Sequence, residues 1–381
     1  MRKVCVIGAG KIGATVAGLL ADAGDYDVLL VDRDAVALAE AGALVEAEDL
    51  AEAGAGRPRI VGAAMPVADP QTLARRIAGA FAVVNCAPYL LTTAVANAAR
   101  IADAHYLDLT EDVAASRVVR SLSEGAQRAF IPQCGLAPGF ITIAAWDLIQ
   151  PFDQLHDVRL RVGALPRYPS NALNYNLTWS IDGVINEYCE PCEAIVDGRL
   201  REAPALEACE AFALDGVTYE AFNTSGGLGT LGHTLDGRVR NLNYKTIRYP
   251  GHAAIMKALL NDLNLRNRRD VLKDILENSV PATLQDVVIV FVTVSGMKQG
   301  HLVQETYVNK FYAQIMGGEV RSAIQVTTAG AICAVLDLLA EGRLPQAGFV
   351  RQEDIPLEAF LGNRFGRVYA PHGLAVPAAA E

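Results

Sequence analysis

Residues 3–13 read Lys3-Val4-Cys5-Val6-Ile7-Gly8-Ala9-Gly10-Lys11-Ile12-Gly13. A short apolar run enters G-x-G-x-x-G, and sequence rich in Ala, Leu and Val at helical spacing follows over 11–23. The glycines alone say little. Placed after a strand and at the head of a helix, they acquire a physical meaning. Gly8 permits a tight turn, Gly10 lets the backbone approach a pyrophosphate, and Gly13 lets helix and strand pack closely. Lys11 and Ile12 begin the helix, where free N–H groups face an anion. A second strand over 27–32 ends at Asp32. A carboxylate there accepts hydrogen bonds from ribose hydroxyls and repels a 2′-phosphate, so NAD is expected over NADP. Arg33, beside it, is the residue that can hold that phosphate.

Strand and helix alternate outward from this stretch. Strands are expected at 59–62, 81–86, 105–109 and 129–131, with helices at 35–47, 70–79, 90–103 and 113–126. That alternation predicts an α/β domain, a Rossmann-type doubly wound parallel sheet covered on both faces. Ala87-Pro88-Tyr89 follows the fourth strand, where a dinucleotide crosses the sheet. The loop is therefore expected beside the nicotinamide ribose, with a plain proline turn as the simpler reading.

The pattern changes after about residue 134. Residues 157–165 and 173–180 alternate as strands, and 286–295 and 302–312 read as a hairpin across Gly296-Met297-Lys298-Gln299-Gly300. Helices are expected at 251–263 and 268–279, and an apolar helix at 322–341 packs back on the first domain. The chain thus divides into a dinucleotide-binding domain, 1–133 with 322–381, and an inserted α+β substrate and dimerisation domain, 134–321. The Ala/Pro-rich tail 374–380 is expected to fray.

Composition narrows the class. Lys and Arg number 33 against 43 Asp and Glu, a net charge of −10, which argues against nucleic-acid or membrane-surface partners. No apolar stretch is expected to span a bilayer, and no signal peptide is read at Met1-Arg2-Lys3. Seven cysteines, mostly in apolar runs, suit the reducing cytoplasm. Cys189 and Cys192 have the spacing of a redox or zinc pair but no second pair to complete a site, so no metal is expected.

Six stretches then carry a resemblance: Asn85-Cys-Ala-Pro-Tyr89, His105-Tyr-Leu-Asp-Leu-Thr110, Cys134-Gly-Leu-Ala-Pro-Gly139, Asn174-Tyr-Asn-Leu-Thr-Trp-Ser180, Thr224-Ser-Gly-Gly-Leu-Gly-Thr230 and Lys245-Thr-Ile-Arg-Tyr-Pro-Gly-His252. In that order they resemble the saccharopine dehydrogenase family over residues 1 to about 370, and within it the members that oxidise the 6-amino group of L-lysine. The resemblance implies a Rossmann domain completed by the C-terminal segment, an inserted α+β domain and a homodimer built largely through the insertion. It implies an NAD-dependent oxidative deamination giving the 6-semialdehyde, which cyclises to piperideine-6-carboxylate. Among the motif residues, Tyr89, Gly139, Thr178 and Ser225 are expected to line the substrate site. Two alternatives are a saccharopine-type dehydrogenase acting on a secondary amine and a non-catalytic NAD-binding regulator.

The chemistry selects further residues. Hydride leaves a carbon bearing nitrogen only when the nitrogen lone pair is free, so a base must stand near the amine. Asp108, at the end of the fifth strand, is the first candidate; its simpler role is to cap the following turn. Glu111 and Asp112 compete, Asp112 better as a helix cap. His233, after a glycine run, is the second catalytic candidate. A substrate carboxylate wants a forked guanidinium, and of the cations in 233–257 Arg248 is the first choice. His252 is expected to begin a helix, and Tyr175 and Trp179 to share one face of a strand.

Overall fold

The computed structural model of the chain describes residues 1–43, 60–316 and 318–370. Strands β1 (Arg2–Ile7), β2 (Tyr26–Asp32), β3 (Ile60–Ala64), β4 (Ala82–Asn85), β5 (His105–Asp108) and β6 (Ala129–Ile131) form a parallel sheet in the order β6-β5-β4-β1-β2-β3. β1 is apolar on both faces because helices cover both. Val4 and Val6 enter one core with Val16, Leu20 and the helix Ala323–Ala340. Cys5 and Ile7 enter the opposite core with Leu73, Val95 and Val119 from helices Pro70–Arg76, Thr92–Ile101 and Val113–Ser123. The strand order reverses between β1 and β4, which opens a crevice at their carboxyl ends.

The second sheet is mixed. Strands β7 (Gln154–Pro166), β8 (Cys192–Val196), β9 (Arg199–Ala203), β10 (Glu210–Leu214), β11 (Val217–Asn223), β12 (Val239–Arg248), β13 (Asp286–Lys298) and β14 (His301–Tyr312) include a run β10-β11-β12-β7-β13-β14, with β8 joined to β12 and to β9. β12 and β7 are parallel; the other pairs are antiparallel. Beyond the separate hairpin β15 (Gln314–Met316) and β16 (Glu319–Arg321), helix Ala323–Ala340 returns to the first sheet. There β17 (Gly348–Phe349) adds a seventh strand beside β6.

Four expectations are corrected. The hairpin turn is Gln299-Gly300, with Lys298 opposite His301 and both turn residues at positive φ; that two-residue turn matches the strand twist, and Gly296 lies inside β13 at a register shift. Residues 173–180 are a buried loop with a single bridge, Leu177 to Ala282, so Tyr175 and Trp179 share no strand face. Trp179 instead covers Gly183, where a Cβ would lie 2.3 Å from its ring. The helix expected at 35–47 runs Ala35–Glu40 and ends in a turn at Ala41 and Gly42, with 44–47 and the tail 374–380 falling outside the described residues. Finally, the 18-residue helix Ala323–Ala340 is long and apolar enough to cross a bilayer, yet 94% of it is buried. Its buried Asp337 accepts from Tyr26 at 2.6 Å and from Arg364 at 2.8 Å, tying the helix to β2 and to the last turns of the chain.

Candidate active site

The glycine loop has the three roles its spacing implies. Gly8 has φ +98°, and a Cβ there would sit 3.0 Å from the Cys86–Ala87 backbone. A Cβ on Gly13 would lie 1.8 Å from the Gly8 carbonyl oxygen, so only glycine allows the helix to start this close to β1. Nothing lies within 4 Å of a Cβ built on Gly10, which is the N-cap of helix Lys11–Asp22. The open side of the loop is where a pyrophosphate can approach the N–H groups of Lys11 and Ile12. Asp32 is turned toward the loop: its Oδ2 accepts from the Ala9 N–H at 2.6 Å and its Oδ1 from the Asp34 N–H at 2.9 Å. Arg33 is exposed beside it. Ala87 and Pro88 follow β4, the Ala87 N–H donating to Asn85 Oδ1 at 3.1 Å, and Tyr89 opens a short 3₁₀ turn. These residues fit a dinucleotide laid across the carboxyl ends of β1 and β4.

Asp108 ends β5 and is fully buried. Its Oδ1 accepts from the Thr110 N–H at 3.1 Å and the Gln133 N–H at 2.8 Å, so it locks the loops after β5 and β6 together. Its Oδ2 has no hydrogen-bond partner among the described residues. One oxygen therefore serves the turn, and the Tyr106 hydroxyl lies on the side of the carboxyl that the turn leaves free. Burial pushes the carboxyl up to about 6, against the opposing pull of the Gln133 and Thr110 N–H groups. Burial likewise pushes the neighbouring Glu111 up to about 7. Asp112 caps helix Val113–Ser123 through the Ala115 N–H at 2.7 Å, as its position suggested.

The loop Thr224–Gly229 closes over this region. A Cβ on Gly226 would meet the Glu111 carbonyl oxygen at 2.1 Å, so the second sheet's loop lies directly on the first sheet's turn. Glu353 holds the loop from below, accepting from Thr230 Oγ1 at 2.6 Å and Thr234 Oγ1 at 2.7 Å. A small cavity of about 10 Å³, room for about one water molecule, remains between Val113, Thr224, Gly227, Tyr244 and Glu193.

Arg248, at the end of β12, is 2% exposed. Three Lys and Arg side chains are buried among the described residues, and Arg161 and Lys245 both pair with Glu210. Among the described residues, Arg248 has no carboxylate oxygen within 4.0 Å. Its Nε donates to Tyr188 Oη at 3.0 Å and its Nη1 to the Ile247 carbonyl at 2.8 Å, while its guanidinium lies over the Tyr175 ring at 5.3 Å. His252 begins a helix and is buried, with Nδ1 2.9 Å from the Leu173 carbonyl and Nε2 3.0 Å from Tyr188 Oη. A carbonyl only accepts, so Nδ1 carries the proton and Nε2 accepts from Tyr188. Burial and the Arg248 charge pull the His252 imidazole down to about 3, which keeps it neutral.

Thr178, Tyr175 and Asn176, in one loop, each have a buried side-chain oxygen with no hydrogen-bond partner within 3.5 Å among the described residues, the Tyr175 and Thr178 hydroxyls lying close to each other. Tyr89 is within electrostatic reach of Arg269, Asp112 and Glu111, and burial pushes its hydroxyl above the usual range. Three expected site residues are placed otherwise. Gly139 heads helix Phe140–Ile149, where a Cβ would lie 2.0 Å from the Gly135 carbonyl, so its constraint is backbone packing. Ser225 donates its hydroxyl to the Pro191 carbonyl and its N–H to the Glu187 carbonyl, both at 3.0 Å, and so anchors the loop. His233 is half-exposed, with Nε2 3.8 Å from Glu193, on the outer side of that cavity-lining carboxylate rather than beside Asp108.

Sequence reasoning missed Glu187. It lies on helix Ile181–Cys189 among Val184, Ile185 and Tyr188, and it is 6% exposed. An acid inside an apolar helical run was the available signal, but no helix was read there.

A family model described as the saccharopine dehydrogenase NADP binding domain matches residues 4–131, and one described as the saccharopine dehydrogenase C-terminal domain matches residues 135–364. Among solved structures, apo saccharopine dehydrogenase (L-Glu forming) from Saccharomyces cerevisiae is similar with TM-score 0.71 and 16% identity, over 93% of this chain and 94% of that one. Homospermidine synthase from Legionella pneumophila, solved in complex with NAD, is similar with TM-score 0.63 and 12% identity, over 97% of this chain and 89% of that one. At these identities the likeness is one of fold.

Proposed function

The chain belongs to the saccharopine dehydrogenase family and is an NAD(P)-dependent oxidoreductase acting on a carbon–nitrogen bond; from that premise we propose that it oxidises the 6-amino group of L-lysine, with NAD as the preferred acceptor. The observation that carries the reading is the single buried guanidinium without a carboxylate partner, Arg248. One such cation matches a substrate with one carboxylate. Saccharopine carries three and calls for more than one buried cation.

In this reading Arg248 holds the substrate carboxylate and Asp108 receives the proton of the reacting ammonium on its unpartnered Oδ2. A carboxyl near 6 is ionised at neutral pH yet basic enough to take a proton as it leaves. Gly8, Gly10 and Asp32 would hold a nicotinamide dinucleotide, which would supply the two-electron oxidation at C6 by taking up hydride. Water then hydrolyses the imine, releasing ammonium and the 6-semialdehyde, which cyclises. Asp32 supports the NAD preference through its place at the ribose end of β2.

The test is NADH formation followed by absorbance with lysine, ornithine, saccharopine and other ω-amino acids, each with NAD and NADP. Lysine with NAD is expected to give the highest kcat/KM. Saccharopine preferred over lysine overturns the substrate assignment. A tenfold preference for NADP overturns the cofactor assignment and points to Arg33.

A further inference from the structure

Glu187 and Arg248 are a buried carboxyl and a buried guanidinium that do not meet, and burial holds the Glu187 carboxyl well above the usual carboxylate range. They come from different elements, the last turn of helix Ile181–Cys189 and the end of β12. Each lies within Coulombic reach of the other, yet no nitrogen–oxygen pair between them is within 4.0 Å. The Glu187 carboxylate has no hydrogen-bond partner among the described residues, and neither does Nη2 of Arg248. A buried guanidinium without a counter-ion and a carboxyl that burial keeps from ionising are both relieved by a ligand carrying the two complementary charges a few ångströms apart.

The surroundings hold the pair in place. Tyr188, the residue after Glu187, donates to neutral His252 and accepts from Arg248, so a chain from the Leu173 carbonyl through His252 and Tyr188 fixes the guanidinium. The Glu187 backbone carbonyl is held by the Ser225 N–H at 3.0 Å. Unpartnered buried oxygens of Tyr175, Asn176, Thr178 and Thr224 belong to the same loops. Ser225 bonds the Glu187 carbonyl while the adjoining Gly226 packs on the Glu111 carbonyl, which puts Glu187 next to the turn that follows Asp108.

We propose that Glu187 and Arg248 together recognise the zwitterionic head of an α-amino acid, Arg248 taking the α-carboxylate and Glu187 the α-ammonium, while the far amine reaches Asp108. This rests on the reading that the enzyme oxidises the distal amine of an amino acid, and it makes Glu187 a specificity residue. The ammonium supplies the positive charge that lets the buried carboxyl ionise.

The experiment compares lysine with 6-aminohexanoate, which keeps the carboxylate and the reacting amine but lacks the α-amino group. The wild-type enzyme is expected to favour lysine by about 10–100-fold in kcat/KM, as befits a charge-assisted hydrogen bond. Glu187→Gln is expected to reduce that ratio at least tenfold, mainly through KM for lysine. Equal use of both substrates by the wild-type enzyme overturns the proposal without any variant. An equal fall for both substrates in Glu187→Gln also overturns it, assigning Glu187 to the reacting amine. If another α-amino acid is the substrate, its α-deamino analogue replaces 6-aminohexanoate, and the lysine reading fails while this one is still tested. If none is oxidised, thermal stabilisation of the NADH-loaded protein by each member of the pair reports head-group binding directly. Equal stabilisation by both compounds then counts against the proposal.

Discussion

At the residue scale, Asp108 carries the turn-capping role read for it, and the base role is the proposal that remains to be measured. It caps a turn with one oxygen and leaves the other unpartnered. The sequence exposed its position, because catalytic groups gather at the carboxyl ends of parallel strands. It did not expose that Ser225 and Gly139 are constrained by backbone contacts, since a motif residue looks the same whether it touches substrate or carbonyl. Glu187 escaped because its partners come from distant elements. A proton-accepting Asp108 predicts a rate limb: kcat/KM falls about tenfold per pH unit below roughly 6, where the carboxyl becomes protonated. Asp108→Asn should remove that limb and lower amine oxidation by about 10²–10⁴-fold, with cofactor affinity nearly unchanged. If instead Glu111→Gln removes a limb near 7 and Asp108→Asn keeps most of the activity, Glu111 is the base. Stability has its own pH dependence. His105 and His252 are pulled down to about 4 and 3 by burial, whereas the unfolded chain protonates them near 6.5. Depressed histidines favour the fold above the unfolded value, so stability is lost as pH falls from about 6.5 through the folded values. Each contributes a slope of up to about 1.4 kcal/mol per pH unit in that window. Asp108 and Glu111, raised to about 6 and 7, act in the opposite sense over the same window, so the histidine contribution is read as a difference: the loss of melting temperature between pH 7 and 4.5 should be smaller in His105→Gln than in the wild-type protein.

At the element scale, the alternating strands and helices of the first sheet were legible because a parallel strand buried on both faces is a short uninterrupted apolar run. The second sheet was half legible. Its long hairpin announced itself by alternation, while the loop 173–180 alternates by accident and packs its aromatic residues on Arg248, His252 and Gly183 instead. The glycine loop allows a paired test of that reading. Gly10→Ala meets open space and should fold normally while losing at least tenfold in dinucleotide affinity. Gly13→Ala drives a methyl group to 1.8 Å from the Gly8 carbonyl and should cost about 3 kcal/mol or more, seen as a clear fall in melting temperature. Equal melting temperatures for the two variants would contradict the packing argument.

At the scale of the whole molecule, β14 leaves Leu302 and Val308 exposed, and the following hairpin leaves Ile315 and Val320 exposed. A homodimer through this side of the second sheet is the expected assembly. Light scattering should give twice the chain mass at micromolar concentration, and Val308→Glu should shift it toward one; a strict monomer rules the assembly out. Helix Ala323–Ala340 has a different kind of consequence. It fills the core under β1 and β2, and Asp337 bonds Tyr26 across 311 positions of sequence. On the ribosome, the first six strands therefore emerge long before the segment that seals them. The cofactor half must wait, with an apolar face uncovered, until the other half has been made. Such non-local closure is slow and leaves aggregation-prone intermediates. A polypeptide stopped at residue 133 should therefore be recovered insoluble or bind no dinucleotide, and adding 322–370 in trans is the rescue to attempt.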